Sequence, residues 1–137
     1  MASRSRFSDF LMPKGNIAIR GHFGGWETSP QQRDFSSDAN ETIFDGRVSQ
    51  YVYANYVVTC DNTGNGLILD GFTFTGGNYA GLYIYNHSNP SITRCKFNGN
   101  LQYGIYIDDY SSPEITDSSF LENGTDGIYS GNYKNNA

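Results

Sequence analysis

The sequence predicts an all-β fold in which short strands repeat as a parallel solenoid, and three observations support this. The phrases "GLYIY", "GIYID" and "GIYSG" begin at Gly81, Gly104 and Gly127, so successive phrases are equally spaced. Within the phrases apolar residues alternate with Tyr or polar residues, which is the period of a strand with one buried face. Turn-forming residues separate these strands, and no stretch carries a helical stripe. Repetition at a fixed period of roughly 23 residues is typical of solenoids.

The composition fits one β-rich domain of 137 residues, with 16 Gly, 11 Tyr and 9 Phe. The formal net charge of −5 makes a nucleic acid or an anionic membrane an unexpected partner, because both need basic patches. No apolar run is long enough to span a bilayer, so we expect no membrane insertion. The two cysteines, Cys60 and Cys95, are too few for a disulfide scaffold or a structural zinc site, and we expect buried, inert thiols.

The repeat predicts columns of like residues. The phrases "IRG", "FDG" and "LDG" are also equally spaced, at a slightly longer interval, and they extend the repeat upstream. The whole chain then makes about five coils of roughly 23–25 residues, a period in the range of solenoid repeats. One predicted interior column contains Ile19, Phe44, Leu69, Ile92 and Ile115. A second contains Phe74, Phe97 and Phe120, and Asn100 is expected to lie over Asn123 in an asparagine ladder.

Two solenoids fit this period. A leucine-rich repeat needs LxxLxLxxN, and Ile92, Cys95, Phe97 and Asn100 satisfy it. The rest of such a repeat is a helix or an apolar arc, whereas here it is a second alternating strand that opens with Gly. The pattern therefore favours a right-handed parallel β-helix. We expect an N-terminal cap or partial first coil over residues 1–16 and the β-helix over residues 17–137, with a loop insertion at about 24–41.

The C-terminal half resembles the PbH1-type right-handed β-helix repeats, which are pectate-lyase-like. Matching positions are Leu82, Ser91, Ile92, Cys95, Phe97 and Asn100. The N-terminal half resembles a β-helix region of bacterial surface proteins, with matches at Gly24, Gly25, Glu27, Thr28, Ser29, Arg33 and Asp34, and with Trp26 where a small residue is common. The resemblance implies an extracellular or cell-surface location, although residues 1–15 do not read as an export signal. Related proteins include polysaccharide lyases, glycoside hydrolases and adhesins.

A tyrosine column is the strongest candidate for ligand binding. Tyr83, Tyr106 and Tyr129 recur at the repeat spacing and alternate with inward residues, so they are expected to point outward and stack. With Tyr85 and Asp108 beside them, such a row would form a platform for the sugar rings of a polysaccharide. The alternative is a ladder that only stabilises the sheet, since aromatic cross-strand pairs contribute about 0.2–1 kcal/mol each.

The acidic residues Asp108, Asp109 and Asp126 are weaker candidates for catalysis. A hydrolase needs two carboxylates about 5–9.5 Å apart. A lyase of this fold needs clustered carboxylates for Ca²⁺ and a basic residue beside them. No Arg or Lys column accompanies these acids, so Ca²⁺ is only a weak expectation, and they are more simply read as solvated residues at turns. In the insertion, Arg33 is expected to bridge to Glu27.

Three hypotheses for function follow. The first is a non-catalytic β-helix module, structural and able to bind carbohydrate, of a bacterial surface or secreted protein. The second is a polysaccharide lyase or glycoside hydrolase, or a fragment of one. The third is a building block that self-associates through the column ends, because a β-helix leaves an unpaired strand edge at each end. At the C-terminal end we expect Ile115, Phe120 and Ile128 to be exposed edge-on, with only Tyr133 nearby.

Overall fold

A computed structural model describes residues 10–131 as a column of short parallel strands. In chain order the strands are β1 (Phe10–Leu11), β2 (Ala18–Arg20), β3 (Thr42–Asp45), β4 (Ala54–Asp61), β5 (Gly64–Asp70), β6 (Phe72–Thr75), β7 (Gly77–Tyr85), β8 (Ser88–Thr93), β9 (Lys96–Asn98), β10 (Tyr103–Ile107), β11 (Glu114–Thr116), β12 (Ser119–Leu121) and β13 (Asp126–Ser130). Two 3-10 turns, Pro30–Gln32 and Asp38–Asn40, lie in the insertion between β2 and β3.

The strands form three parallel sheets that make the three sides of the column. Sheet 1 has the order β1-β4-β7-β10-β13, sheet 2 the order β2-β5-β8-β11, and sheet 3 the order β3-β6-β9-β12. Every strand pair within these sheets is parallel. The predicted parallel β-solenoid is confirmed. The leucine-rich alternative is wrong, because within residues 10–131 the rest of each repeat forms strands of two further parallel sheets in place of a helix or an apolar arc.

The corners of the column are built from residues in the left-handed region, which turn the chain sharply between strands. Between sheets 2 and 3 these residues are Gly71, Arg94 and Asp117; between sheets 3 and 1 they are Gly76, Gly99 and Glu122; between sheets 1 and 2 they include Asn62, Asn86 and Asp109. Since the corner residue recurs at the same place in successive coils, the strands that follow it begin in register.

The interior consists of the predicted columns with one correction. Ile19 pairs with Leu69, which continues through Ile92 to Ile115 in sheet 2. Phe44 does not belong there: it pairs with Phe74 in sheet 3. Within residues 10–131 the column therefore has fewer coils than the five predicted, because the chain from Ile19 to Leu69 makes a single long coil that contains the insertion.

The phenylalanine column explains why each repeat opens with Gly. The rings of Phe74 and Phe97 stack with centroids 4.8 Å apart, and those of Phe97 and Phe120 with centroids 5.0 Å apart. A Cβ atom on Gly104 would lie 3.0 Å from the Phe97 Cβ and 2.9 Å from the Phe120 ring. Glycine at this position lets sheet 1 approach the phenylalanine column closely.

The predicted asparagine ladder is confirmed. The buried Asn100 side chain donates to the Phe74 carbonyl at 3.2 Å and to the Asn123 Oδ1 at 3.0 Å, and it accepts the Gly77 N–H at 2.9 Å. The Asn123 amide donates to the Phe97 carbonyl at 2.9 Å, one coil on. The ladder thereby satisfies backbone groups at the corner between sheets 3 and 1, where the strand pairing is interrupted.

Both cysteines are free and buried, as expected. Burial raises the pKa of the Cys60 thiol to about 12. Among the residues described, no helix has the length and apolar character needed to cross a membrane.

The two ends of the column differ. In the predicted N-terminal segment, Phe10 and Leu11 extend sheet 1 and Met12 is buried. At the other end the apolar residues of the last coil are incompletely covered: Ile128 is 43% exposed, and Ile115 and Phe120 are only partly buried. Residues 1–9 and 132–137, including Tyr133, lie outside the described residues, and self-association through the ends stays a prediction.

We predict that Asn100→Ala lowers the free energy of unfolding by at least about 2 kcal/mol, because the Gly77 N–H and the Phe74 carbonyl lose their buried partner. The matched control is Asn89→Ala, in an exposed ladder where Asn89 donates to Asn65 and accepts from the Ser112 N–H. We expect the control to change stability by no more than about 0.5 kcal/mol. Urea denaturation of both variants measures the difference, and equal losses would contradict a special role for the buried ladder.

Candidate functional site

The outer surface of sheet 1 carries seven tyrosines whose rings are in mutual contact, and we call it the tyrosine face. Its members are Tyr56, Tyr79, Tyr83, Tyr85, Tyr103, Tyr106 and Tyr129. All seven lie on β4, β7, β10 and β13, which are neighbours in the sheet. Side chains that alternate with them, such as Leu82 and Ile105, are fully buried in the core.

The predicted tyrosine column is present in register, but its rings do not lie flat on one another. Tyr83 pairs with Tyr106, and Tyr106 pairs with Tyr129. The Tyr83 and Tyr106 centroids are 5.4 Å apart with the rings at 87°, and the Tyr106 and Tyr129 centroids are 5.1 Å apart at 61°. The column is edge-to-face, which suits the quadrupoles of neighbouring rings.

Flat stacking occurs instead with tyrosines outside the predicted column. Tyr83 lies between Tyr56, at 4.3 Å, and Tyr85, at 4.5 Å, with both rings nearly parallel to it. Tyr103 stacks on Tyr129 at 4.9 Å. Tyr85 was among the predicted site residues, whereas Tyr56 and Tyr103 were not. Tyr56 and Tyr103 could have been added to the predicted site from their position in the sheet, because both pair with Ala80 on the strand between them.

The rings of the tyrosine face differ in exposure. Tyr79 and Tyr129 are exposed, while the other members are half-buried. Burial raises the pKa of Tyr83, and the neighbouring Tyr56 and Asp108 act in the same direction. The Tyr83 phenol therefore stays neutral at physiological pH and retains its O–H donor.

Polar side chains flank the tyrosine face at both ends of its strands. Where the strands begin, Asn78 donates to Asn55 at 3.3 Å, and both line a cleft of about 470 Å³ with Tyr51, Tyr53 and others. Where the strands end, Asn86 donates to Asp61 at 3.0 Å. Amide and carboxylate groups next to aromatic rings are the groups that fix the orientation of a polar ligand.

The candidate acids do not come together as a group of three. Asp108 follows β10 and accepts the Asp109 N–H at 2.8 Å, and Asp109 is in the left-handed region. Asp126 is exposed at the start of β13, where it pairs with Tyr103. Asp108 lies five residues beyond Tyr103 along the strand direction, so the backbone positions of Asp108 and Asp126 are about 16 Å apart along the strands. This distance exceeds the separation of the two carboxylates in a glycosidase. Residues 10–131 contain no group of three metal-ligating side chains.

A second cluster, missed in the sequence, lies at the corner between sheets 2 and 3. The Asp70 carboxylate, 3% exposed, contacts Arg33 at 2.6 Å, Arg94 at 2.7 Å and Arg20 at 3.5 Å. We call these four residues the arginine cluster. With Phe35, Pro30 and Gln31 it lines a pocket of about 420 Å³. The pairing of Arg20 with Asp70 on neighbouring strands could have indicated this cluster. It was not evident from the sequence, because the predicted five-coil arrangement placed Asp45 between these two residues.

The expected Arg33–Glu27 bridge is wrong. Arg33 instead turns inward, donating to the Pro30 carbonyl at 2.7 Å and to the Gly21 carbonyl at 3.1 Å as well as to Asp70. Glu27 accepts the N–H groups of the turn before it, those of Gly24, Gly25 and Trp26. A carboxylate at this turn satisfies three backbone donors, whereas the buried Asp70 needs a cation.

Opposing effects set the ionisation of Asp70. Burial acts to raise its pKa, but hydrogen bonds from Arg94 and Arg33 and the charges of the two guanidinium groups outweigh it, so the pKa lies below its ordinary value. In turn, the Asp70 carboxylate raises the pKa of Arg94. Asp70 is therefore ionised at neutral pH and tethers the insertion to the column.

Comparison with known proteins identifies the fold and gives no relative of defined activity. The family model described as the right-handed beta helix region matches residues 38–137, which is most of the chain. Searches of curated proteins and of solved structures returned no match.

We predict that Asp70→Asn lowers the free energy of unfolding at pH 7 by about 3–5 kcal/mol, because Arg33 is left buried without its counter-charge. The control Asp45→Asn breaks an exposed pair with Arg47 and is expected to cost far less. Because the folded pKa of Asp70 is depressed, its contribution is present above the unfolded pKa of about 3.9 and is lost as pH falls from there through the lower folded pKa. Urea denaturation between pH 7 and pH 2 should show a shallower fall for Asp70→Asn than for wild type. An equal fall in both would contradict the assignment.

Proposed function

We propose that this chain, which belongs to the right-handed β-helix family, works as a non-catalytic module that binds carbohydrate on its tyrosine face. The observation that carries the proposal is the concentration of aromatic residues on one side of the column. Sheets 2 and 3 pair in the same way, but their outward positions hold residues such as Thr93, Thr116, Lys96 and Ser119. Parallel pairing alone therefore does not require tyrosine.

The chemistry of the tyrosine face supports a sugar ligand. Aromatic rings offer apolar surface to the C–H faces of sugar rings, and their hydroxyl groups add donors and acceptors at the rim. The edge-to-face arrangement gives a ridged surface rather than a flat one. Asn55 and Asn78 at one end, and Asp61 and Asn86 at the other, provide amide and carboxylate groups for sugar hydroxyls.

A polysaccharide ligand suits a bacterial surface or secreted protein, which is the location that the resemblance of the N-terminal half implies. A lyase or glycosidase is the alternative function, with Asp108 and Asp109 as the remaining acidic pair. We favour binding because, within residues 10–131, the salt bridges hold five cationic side chains, those of Arg20, Arg33, Arg47, Arg94 and Lys96, at acids other than this pair.

We predict that Tyr106→Ala weakens binding to a glycan at least tenfold while the fold is kept, because Tyr106 contacts the rings of Tyr83, Tyr103 and Tyr129 at the centre of the tyrosine face. A glycan array identifies the ligand, and titration calorimetry measures the affinity. The matched control is Tyr110→Ala, since Tyr110 is exposed and stacks on His87 away from this face. Equal binding by wild type and Tyr106→Ala would leave the tyrosines a structural role only.

We also predict no release of unsaturated or reducing-end sugar when the protein is incubated with neutral and acidic polysaccharides. The separation between Asp108 and Asp126 does not fit a pair of catalytic carboxylates. Absorbance of unsaturated products and a reducing-sugar assay are the measurements. Turnover that disappears in Asp108→Asn would overturn the non-catalytic proposal in favour of the enzyme.

A further inference from the structure

The arginine cluster has more positive charge than its own carboxylate neutralises. Three guanidinium groups contact one carboxylate, so the pocket that they line has a local charge of +2, in a chain whose formal net charge is −5. One arginine is sufficient to pair with a buried aspartate. Arg20 and Arg94 repel each other and Arg33, and an anion bound between them would offset this repulsion.

The three arginines play different parts. Arg33 is 2% exposed and uses its donors on Asp70, Gly21 and Pro30, so it belongs to the wall of the pocket. The Arg20 and Arg94 side chains are 37% and 41% exposed. Arg94 directs its Nε and Nη2 groups at Asp70. Within residues 10–131 the Arg20 side chain has one ion-pair contact, the 3.5 Å approach of its Nε to Asp70. Arg20 lines the pocket, and because this contact is made through Nε, its Nη1 and Nη2 groups are the donors that it can offer to a ligand.

The rest of the pocket holds these arginines in place. The Arg33 guanidinium lies 4.9 Å from the Phe35 ring centroid, and that of Arg94 lies 5.4 Å from it. Such cation–π contacts restrict the motion of a guanidinium without neutralising its charge. A second acid near Arg94 is Asp117, which lines an adjoining cavity with Lys96, Phe35 and Arg94 itself. The volume of about 420 Å³ is in the range of small-ligand pockets.

We propose that the pocket of the arginine cluster is a binding site for an oxyanion head group, carboxylate, sulfate or phosphate, held by Arg20 and Arg94. The planar fork of donors on a guanidinium matches such groups in a bidentate manner. Gln31 at the rim can hydrogen-bond to a larger molecule that carries the head group. This site lies at the corner between sheets 2 and 3, whereas the tyrosine face is the outer surface of sheet 1. Its test is therefore independent of the carbohydrate proposal.

The test is titration calorimetry at low salt with five probes: sodium sulfate, sodium phosphate, sodium acetate, sodium glucuronate and, as the neutral match, glucose. We expect saturable binding of at least one anion, with an affinity that falls as NaCl is raised. Glucose carries no charge, so glucose that binds on the tyrosine face is expected to be unaffected by NaCl and by Arg20→Gln. Tighter binding of glucuronate than of the free ions, weakened by Arg20→Gln, would show that the head group belongs to a sugar acid. Equal or tighter binding of a free ion would assign the site to that ion.

The variants are Arg20→Gln and the control Arg47→Gln. Arg20→Gln leaves both Arg33 and Arg94 on Asp70, so the fold is expected to remain, and the anion affinity should fall at least tenfold. Arg47 is an exposed arginine paired with Asp45 outside the pocket, and its replacement should change the affinity less than twofold. An NMR titration of wild type provides a second readout, with shifts expected at Arg20 and Arg94. Absence of saturable anion binding, equal affinity in Arg20→Gln, or equal loss in Arg47→Gln would each overturn the proposal.

Discussion

Parallel pairing at about 4.8 Å per coil decides which side chains of this protein can touch, because each residue lies on its equivalent in the next coil. Inside the column this rule stacks Phe97 between Phe74 and Phe120 and so removes large rings from water. At a corner it places Asn100 on Asn123, where amides bond from coil to coil. Outside, it places Tyr106 on Tyr83 and Tyr129. The core, the corners and the candidate binding surface are therefore consequences of one register.

That register was largely readable in the sequence, and the exceptions have a common physical reason. The spacing of the repeat is constant from Gly81 onward, so the ladder of Asn100 and the columns of Ile92 and Phe97 could be predicted. Upstream, Phe44 and Leu69 each stand as an apolar residue before Asp-Gly, although they lie on different sheets. Local pattern does not record which side of a column a strand joins. The ring angles on the tyrosine face were also not predictable, because they depend on tyrosines at other positions of the repeat.

The insertion is joined to the column by charge as well as by packing. A carboxylate at the position of Asp70 is shielded from water, and its ionised form is stabilised by Arg94 and by Arg33, which enters from the insertion. The coils that follow carry Thr93 and Thr116 at this position, which need no such partner. The link was missed because its two residues are 37 positions apart, and only the three-dimensional path of the insertion brings them together. A repeat pattern predicts what recurs, and this contact occurs once.

A solenoid separates the requirements of folding from those of binding. Replacing an inward residue such as Ile92 disturbs the stacked residues above and below it, whereas an outward residue meets few neighbours beyond those in adjacent coils. The same pairing thus carries tyrosines on sheet 1 and small polar residues on sheet 2, with an arginine-lined pocket between sheets 2 and 3. For this reason membership of the fold says little about activity, and the argument for function must come from the surfaces themselves. The tyrosine face and the arginine cluster differ in charge, shape and position, so each can be altered while the other is left intact.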